Sequence, residues 1–318
     1  NRAFAAAGNL ATLFALADAV GWLHNDGAGA LAWSTPTVDN TVNGFRLSLT
    51  TGVPVTTADV AAAGTLYCVP YKGNRIALYD GAAWNLRSSA EFNLALTLTN
   101  GKPYDVFCYD NAGTPTLEVL VWTNDTTRAT ALAYQDGVLV KSGATTRRYL
   151  GSLYASATDK TEDSYAKRWL WNYYHRARRP LRVMEPTDSW AYSTATYRQM
   201  RATATNQIDI MVGVAEDSLR VEVCGAASNN GAAAIVHLTV GQDSTSTELS
   251  GTMGMVGVSA GAGAYTTCRG TVDVIPAIGR HYYAALEYDN TGGGTTTWYG
   301  DSGIPTLVQS GVSGQWHA

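Results

Sequence analysis

From Gly44 to Gly151 the chain runs as short apolar and alternating segments broken by turn residues. FRLSLTT alternates, and TLYCVPY, NRIALYDG, NLALTLTNG, YDVFCYDN, TLEVLVWTND, ALAYQDG and VLVKSG are runs closed by Asx or glycine. Strands recurring every 8–12 residues or so predict a sandwich or barrel. NLALTLTNGKPYDVFCYDNAG, with Asn100-Gly101 between its runs, predicts a hairpin. Residues 187–318 resume the pattern in WAYSTATYRQM, QIDIMVGVA, LRVEVCG, AAIVHLTVG, TELSG, CRGTVDVI, HYYAALEYDN and TTTWYG. Glycine-rich GMVGVSAGAGAYTT and NTGGGTTT read as loops between them. The second half is therefore expected to be another antiparallel sandwich, jelly-roll-like.

Residues 3–20 differ. Leu10, Leu13, Ala17 and Val20 follow a 3-4-3 spacing, which predicts a short helix with one apolar seam. Asn9 and Asp18 interrupt that run, and no clean cleavage pattern follows, so a signal peptide is not indicated. Asn25-Asp26-Gly27 then separates two short apolar runs, a hairpin or a crossing loop. Residues 152–166 are polar, and Asp159 with Glu162 reads as a capping box opening a short helix.

The stretch KRWLWNYYHRARRP at 167–180 concentrates basic and aromatic residues. As a strand it puts Trp169, Trp171 and Tyr173 on one face; as a helix it stripes Tyr165, Trp169 and Tyr173. A short helical turn leading into a strand is the expectation. The division that follows is an N-terminal attachment segment and linker (1–43), a first β domain (44–151), a connector (152–186) and a C-terminal β-sandwich (187–318).

Composition narrows the function. Charged residues are only 15%, against about 25% in average globular chains. Hydrophobic residues reach 46%, which excludes disorder. A net charge of −4 argues against nucleic acid as a partner. No apolar run is long enough to predict membrane insertion. Tyr (18) and Trp (9) outnumber Phe (5), a skew that suits subunit interfaces and sugar stacking. Cys68, Cys108, Cys224 and Cys268 show no metal-ligand spacing, so no metal site is assigned. Each lies in a strand-like run and is expected as a buried free thiol; pairings Cys68/Cys108 and Cys224/Cys268 are the alternative.

No catalytic residue and no cofactor is assigned. His237 within AIVHLTV reads as a hydrogen-bonded core histidine, and His281 as a partner for Glu287 or Asp289. Gly257 to Gly261 spells GxSxG without the helix a hydrolase elbow needs. Among the acids Asp209, Glu216, Asp217, Glu222, Asp273, Glu287, Asp289 and Asp301 nothing singles out a glycosidase pair; Asp209 and Glu222 read as solvated. The binding candidates are the late aromatics with a nearby acid: Tyr282, Tyr283, Trp298, Tyr299, Asp301 and Trp316. Trp169, Trp171, Tyr173, Arg176 and Arg179 are expected to form a buried joint between domains or subunits.

Three strings add a resemblance: RLSLTTGVPVTTADVAAAGTLYCVPYKGNRIALYDGAAWNLRS, VLVWTNDTTRATALAYQDGVLVKSGATTRRYLGSLYAS and TEDSYAKRWLWNYYHRARRPLRV. Together with LATLFALADAVGWLHNDGAGALAWSTPT, they resemble a module of tailed-bacteriophage virion surface proteins, over approximately residues 10–200. The resemblance implies a homotrimeric fibre or spike subunit, made in the host cytoplasm and carried on the virion surface. Its N-terminal segment would join other virion proteins, and its C-terminal domain would bind a host-surface glycan or protein. A head fibre or decoration protein with a mechanical role is the alternative, and a glycan depolymerase a further one. The resemblance carries no catalytic motif.

Overall fold

The computed structural model describes residues 22–25, 31–34, 38–231, 234–259, 264–290, 293–303 and 307–318, the first two segments and Ser259 by backbone only. Nearly all of it is strand. Among the described residues the one helical element is a 3-10 turn at Met200–Ala202. The helix expected over residues 3–20 lies outside the described residues. The two apolar runs after it do form a hairpin, Trp22–Asn25 against Leu31–Ser34.

Among the described residues the largest sheet has fourteen strands. Its main path runs Thr114–Val121, Pro103–Asn111, Ala144–Ala157, Lys160–Asp163, Lys167–Arg168, Gln207–Val212, Gly279–Asp289, Ala234–Gln242, Gly257–Ser259. A three-stranded sheet (Phe45–Ser48, Thr65–Pro70, Phe92–Ala95) and the ribbon Arg75–Tyr79 with Trp84–Ser88 pack beside the first part of that path. Turn chemistry sets two of its hairpins. Asp136 and Gly137 (φ 50° and 81°) join Leu132–Gln135 to Val138–Lys141, and Ala112 and Gly113 (φ 49° and 93°) join Pro103–Asn111 to Thr114–Val121. Positive φ at both central residues matches the twist of the flanking strands.

Asn100-Gly101 is a turn, with Gly101 at φ 71°, but the runs beside it do not pair with each other. Phe92–Ala95 pairs with Thr65–Pro70, and Pro103–Asn111 with Ala144–Ala157. Residues between them are claimed from elsewhere: the Leu98 amide donates to Asp159 Oδ1 (2.7 Å) and the Gly101 amide to Ala155 O (3.0 Å). The turn carries the chain from one sheet to the next. TELSG is likewise not a strand, whereas GMVGVS, expected as loop, supplies Gly257–Ser259 and the last two residues of Met253–Met255.

The connector holds no helix. Asp159 sits in a turn at φ 58° between Ala144–Ala157 and Lys160–Asp163, and its carboxylate serves the Leu98 amide instead of capping. The basic-aromatic stretch is extended too, as Lys167–Arg168, Leu170–Asn172 and Arg178–Met184. Ladder partners on both sides decide this. Leu170–Asn172 pairs with Gly151–Leu153, while Lys167 and Arg168 pair in parallel with Asp209 and Ile210. An extended ladder satisfies backbone groups that a lone helical turn would leave open.

Two cores result. One gathers Phe45, Leu47, Leu66, Ile76, Val106 and Leu153. The other gathers Trp171, Leu181, Ile210, Val221, Leu238 and Trp316, on the inner faces of the large sheet and of a seven-stranded sheet. Trp171 is fully buried, and Gly213 makes room for it: a Cβ there would stand 2.3 Å from Trp171 Cε3. All four cysteines are free. Cys68, Cys108 and Cys268 are buried as expected; Cys224 is exposed, because it points from the outer face of its strand.

Asp209, expected to be solvated, is 1% exposed. It receives Arg280 Nε at 3.1 Å and Trp169 Nε1 at 2.7 Å. Burial pushes its carboxyl above the ordinary range, against the pull of Arg280. Asp209→Ala would leave Arg280 without its main counter-charge and should cost about 3–5 kcal/mol in urea denaturation. Asp273→Ala, which breaks the half-exposed Arg220–Asp273 contact at 3.8 Å, should cost less than about 1 kcal/mol.

Candidate functional site

The seven-stranded sheet has one covered face and one open face. Its main path is Arg178–Met184, Gly311–His317, Leu219–Asn229, Thr266–Val274, Met253–Met255. Alternation along each strand separates the faces. Leu181, Val221, Val223, Val272, Val312 and Trp316 point into the core. Arg178, Pro180 and Arg182 on one strand, Arg220 and Cys224 on another, and Arg269 and Asp273 on a third are exposed. Register puts Arg182, Ser313 and Glu222 in one cross-strand row, and Pro180, Gln315 and Arg220 in the next.

The small residues Gly311 and Ser313 on the middle strand lower the floor between the taller walls. Two hollows follow. One, of about 250 Å³, is bordered by Tyr165, Pro180, Arg182, Arg220, Ser313 and Gln315. The other, of about 450 Å³, is bordered by Cys224, Ala226, Met255, Arg269, Leu307 and Gln309. Glu222 lines both, so they adjoin. Its carboxylate accepts from Arg269 Nη2 at 2.5 Å. Although Cys224 is exposed on its strand, desolvation by the surrounding wall and then the neighbouring Glu222 charge push its thiol up. Among the described residues Glu222 is the carboxylate lining both hollows.

The six predicted binding residues are not brought together. Tyr283, Trp298 and Trp316 are buried at 0%, 1% and 0%, because each occupies the core-facing position of its strand; they are unavailable for stacking. Tyr282 lies on the large sheet, where the Arg280 guanidinium stands 5.8 Å from its ring. Tyr299 is half-buried and pairs across from Ala226, at the rim of the larger hollow, with the exposed Tyr265 ring 4.6 Å away. Asp301 begins the short ribbon with Val308–Gln309 that walls the same hollow. Sequence reading passed over Tyr265, Arg220, Arg269 and Gln315. For Arg220, Arg269 and Gln315 the signal was present, since each is a polar member of an alternating strand; Tyr265 sits just before the strand Thr266–Val274, in a glycine-rich segment that gives no such pattern.

The residues expected at a joint between domains or subunits are placed as follows. Trp169 and Trp171 are buried, and Tyr173 packs against Trp171 and Tyr149. Arg176 bonds Glu216 at 2.7 Å as well as Asp217. Arg179 meets Asp163 at 3.1 Å and donates to Thr56 O at 2.9 Å.

His237 accepts or donates at Nδ1 with the Tyr197 hydroxyl (2.8 Å), so it is hydrogen-bonded, though only half-buried. His281 does not pair with Glu287 or Asp289, which share its own strand; its Nδ1 meets Asp243 Oδ2 at 2.6 Å. Glu287 instead takes Arg198 and Trp190, at 2.7 Å each. Ser259 of the GxSxG string ends strand Gly257–Ser259 opposite Ala234, and the next described residues lead into another strand, Thr266–Val274.

No protein-family profile matches the chain, and no curated protein is similar to it. Solved structures with overlapping arrangements are insecticidal toxins of Bacillus thuringiensis. They include the delta-endotoxin Cry8Ea1 (8% identity, TM-score 0.25, 86% of this chain and 51% of the toxin). The mosquito-larvicidal Cry4Aa toxin (8%, 0.19, 86% and 57%) and a Cry1Da tryptic core variant (5%, 0.19, 81% and 48%) are similar to a like degree. The chain spans about half the length of these toxins. At such scores the likeness identifies neither fold family nor activity.

Two outcomes are expected. Trp316→Ala should destabilise the protein by about 3–5 kcal/mol in thermal or urea denaturation, as a core truncation does. The second concerns pH. Burial opposes the His281 charge, but the hydrogen bond and charge of Asp243 outweigh it and raise the imidazole pKa. Burial also opposes the Asp243 charge; His281 and the Tyr282 amide outweigh that and hold the carboxyl below its ordinary value. The His281 contribution is thus complete below about pH 6.5 and lost as pH rises through the raised value. The Asp243 contribution is present above about pH 3.9 and lost as pH falls through the lowered one. The stability gap between wild type and His281→Gln should therefore peak near pH 5–6 and shrink towards about pH 9 in urea melts.

Proposed function

We propose that the chain is a surface subunit of a bacteriophage virion, a fibre or spike, that holds a host-surface glycan on the open face of its seven-stranded sheet. The observation that carries the binding reading is that face itself. It offers two adjoining hollows on a rigid ladder, with polar side chains in fixed cross-strand rows beside apolar Tyr165, Pro180, Met255 and Leu307. Sugars are held by such mixtures of hydrogen-bonding groups and flat apolar surface. The virion assignment rests on the resemblance of the first 200 residues or so to phage surface proteins.

In this reading the sheets that share the second core form a jelly-roll-like sandwich, and three chains associate. Met253, Val256 and Val258 are 54–69% exposed along a strand edge, an apolar ridge suited to a neighbouring subunit. The attachment role has a direct test. Purified protein is expected to bind host cells and their surface polysaccharide saturably, and Ser313→Trp, which fills the smaller hollow, should abolish binding without lowering the melting temperature. Undiminished binding by that variant would remove the open face from consideration. Light scattering should give the mass of three chains.

A further inference from the structure

We propose that the smaller hollow is a subsite for the carboxylate of an acidic sugar. The inference rests on the glycan-binding reading and specifies its ligand class. It starts from a mismatch in hydrogen-bonding capacity. The polar groups around the hollow are the guanidinia of Arg182 and Arg220, the Gln315 side-chain amide, the Ser313 hydroxyl and the Glu222 carboxylate. Each of the two strong acceptors already takes one arginine: Glu222 Oε2 accepts from Arg269, and Gln315 Oε1 accepts from Arg178. Two guanidinia, an amide NH2 and a hydroxyl thus offer more donors than the remaining acceptors of Glu222, Gln315 and Ser313 can match. A carboxylate is acceptor-only and complements that set.

Charge points the same way. The open face carries Arg178, Arg182, Arg220 and Arg269 against Glu222 and Asp273, a basic patch on a chain of net charge −4. Arg182 is exposed and, among the described residues, has no carboxylate within ion-pair distance; its guanidinium lies 5.2 Å from the Tyr165 ring. Arg220 is held only loosely, 3.8 Å from a half-exposed Asp273. The two arginines stand on strands flanking Gly311–His317, one row apart and roughly 12 Å apart on the diagonal, so long side chains can converge on one anion. A planar guanidinium fork matches a carboxylate in two parallel hydrogen bonds, whereas a neutral hydroxymethyl offers no such partner. Tyr165 and Pro180 supply the apolar wall for the sugar ring.

The test uses polyglucuronate, polygalacturonate and polysialic acid, each beside its carboxyl-reduced form, with dextran sulfate as a general polyanion. Binding is measured by calorimetry or biolayer interferometry. At least one carboxylated polymer should bind about tenfold or more tighter than its reduced form. Arg182→Gln and Arg220→Gln should each remove most of that preference, and Ser313→Glu should abolish it. Arg147→Gln, remote from this face, should change nothing. Unaltered melting temperatures would separate these effects from misfolding. Equal binding of acidic and reduced polymers overturns the carboxylate subsite and leaves the glycan reading intact. Binding of dextran sulfate that matches the acidic sugars and ignores Arg182→Gln overturns it also. Absence of binding to every saccharide overturns both.

Discussion

Buried arginine–carboxylate pairing is the constraint on which this architecture depends. Asp163 lies between Arg168 and Arg179, at 3.0 and 3.1 Å, with all three side chains at most 7% exposed. Asp209 takes Arg280 and Trp169, and Asp105 takes Arg128 and Ser152, both at 2.8 Å. Such groups leave water at a cost of several kcal/mol per ion, repaid only when partners meet at good geometry. Any arrangement that parts them strands a charge in the core. Each cluster joins segments far apart in sequence: Thr56 with Asp163 and Arg179, Trp169 with Asp209 and Arg280, Asp105 with Arg128 and the Gly213 carbonyl. They specify which strands lie side by side where first-half and second-half elements meet.

The short parallel pairing of Lys167–Arg168 with Asp209–Ile210 is the backbone counterpart of those clusters. Through it one sheet continues from Thr114–Val121 to Gly257–Ser259. Arg148 does similar work with no carboxylate at ion-pair distance among the described residues. It is 1% exposed and donates to the carbonyls of Asn40, Thr41, Val42 and Ala77 and to the Tyr174 hydroxyl. A guanidinium can be satisfied by carbonyls alone because its five N–H groups fan out in a plane. The open face follows from the same construction. With one face of the seven-stranded sheet committed to the core, the opposite row positions are free to carry arginines, glutamine and serine.

Much of this was legible from residue order. Alternation in RRPLRVM and LRVEVCG marks which residues face out, and Asp136-Gly137 marks a hairpin, because both depend on neighbours within a few residues. Asn100-Gly101 shows the limit. It makes the turn its chemistry requires, yet its flanking runs pair elsewhere, since distant Asp159 and Ala155 capture the intervening amides. Trp298, Trp316 and Tyr283 were misjudged for a related reason. An aromatic beside glycine loops reads the same whether its face turns to water or to a second sheet, and only the partner sheet decides.

The order of residues by itself determined that this protein is built of strands, that its cysteines have no ligand spacing, and that the tryptophans of the stretch at 167–180 would be buried. Period and turn chemistry are local, and they survive any arrangement of the whole. Only the tertiary structure decided which strands are neighbours, which acids are buried with arginines, and which polar side chains share the open face. Those outcomes depend on register across strands that are distant in sequence, and on the cost of leaving a buried charge without its partner.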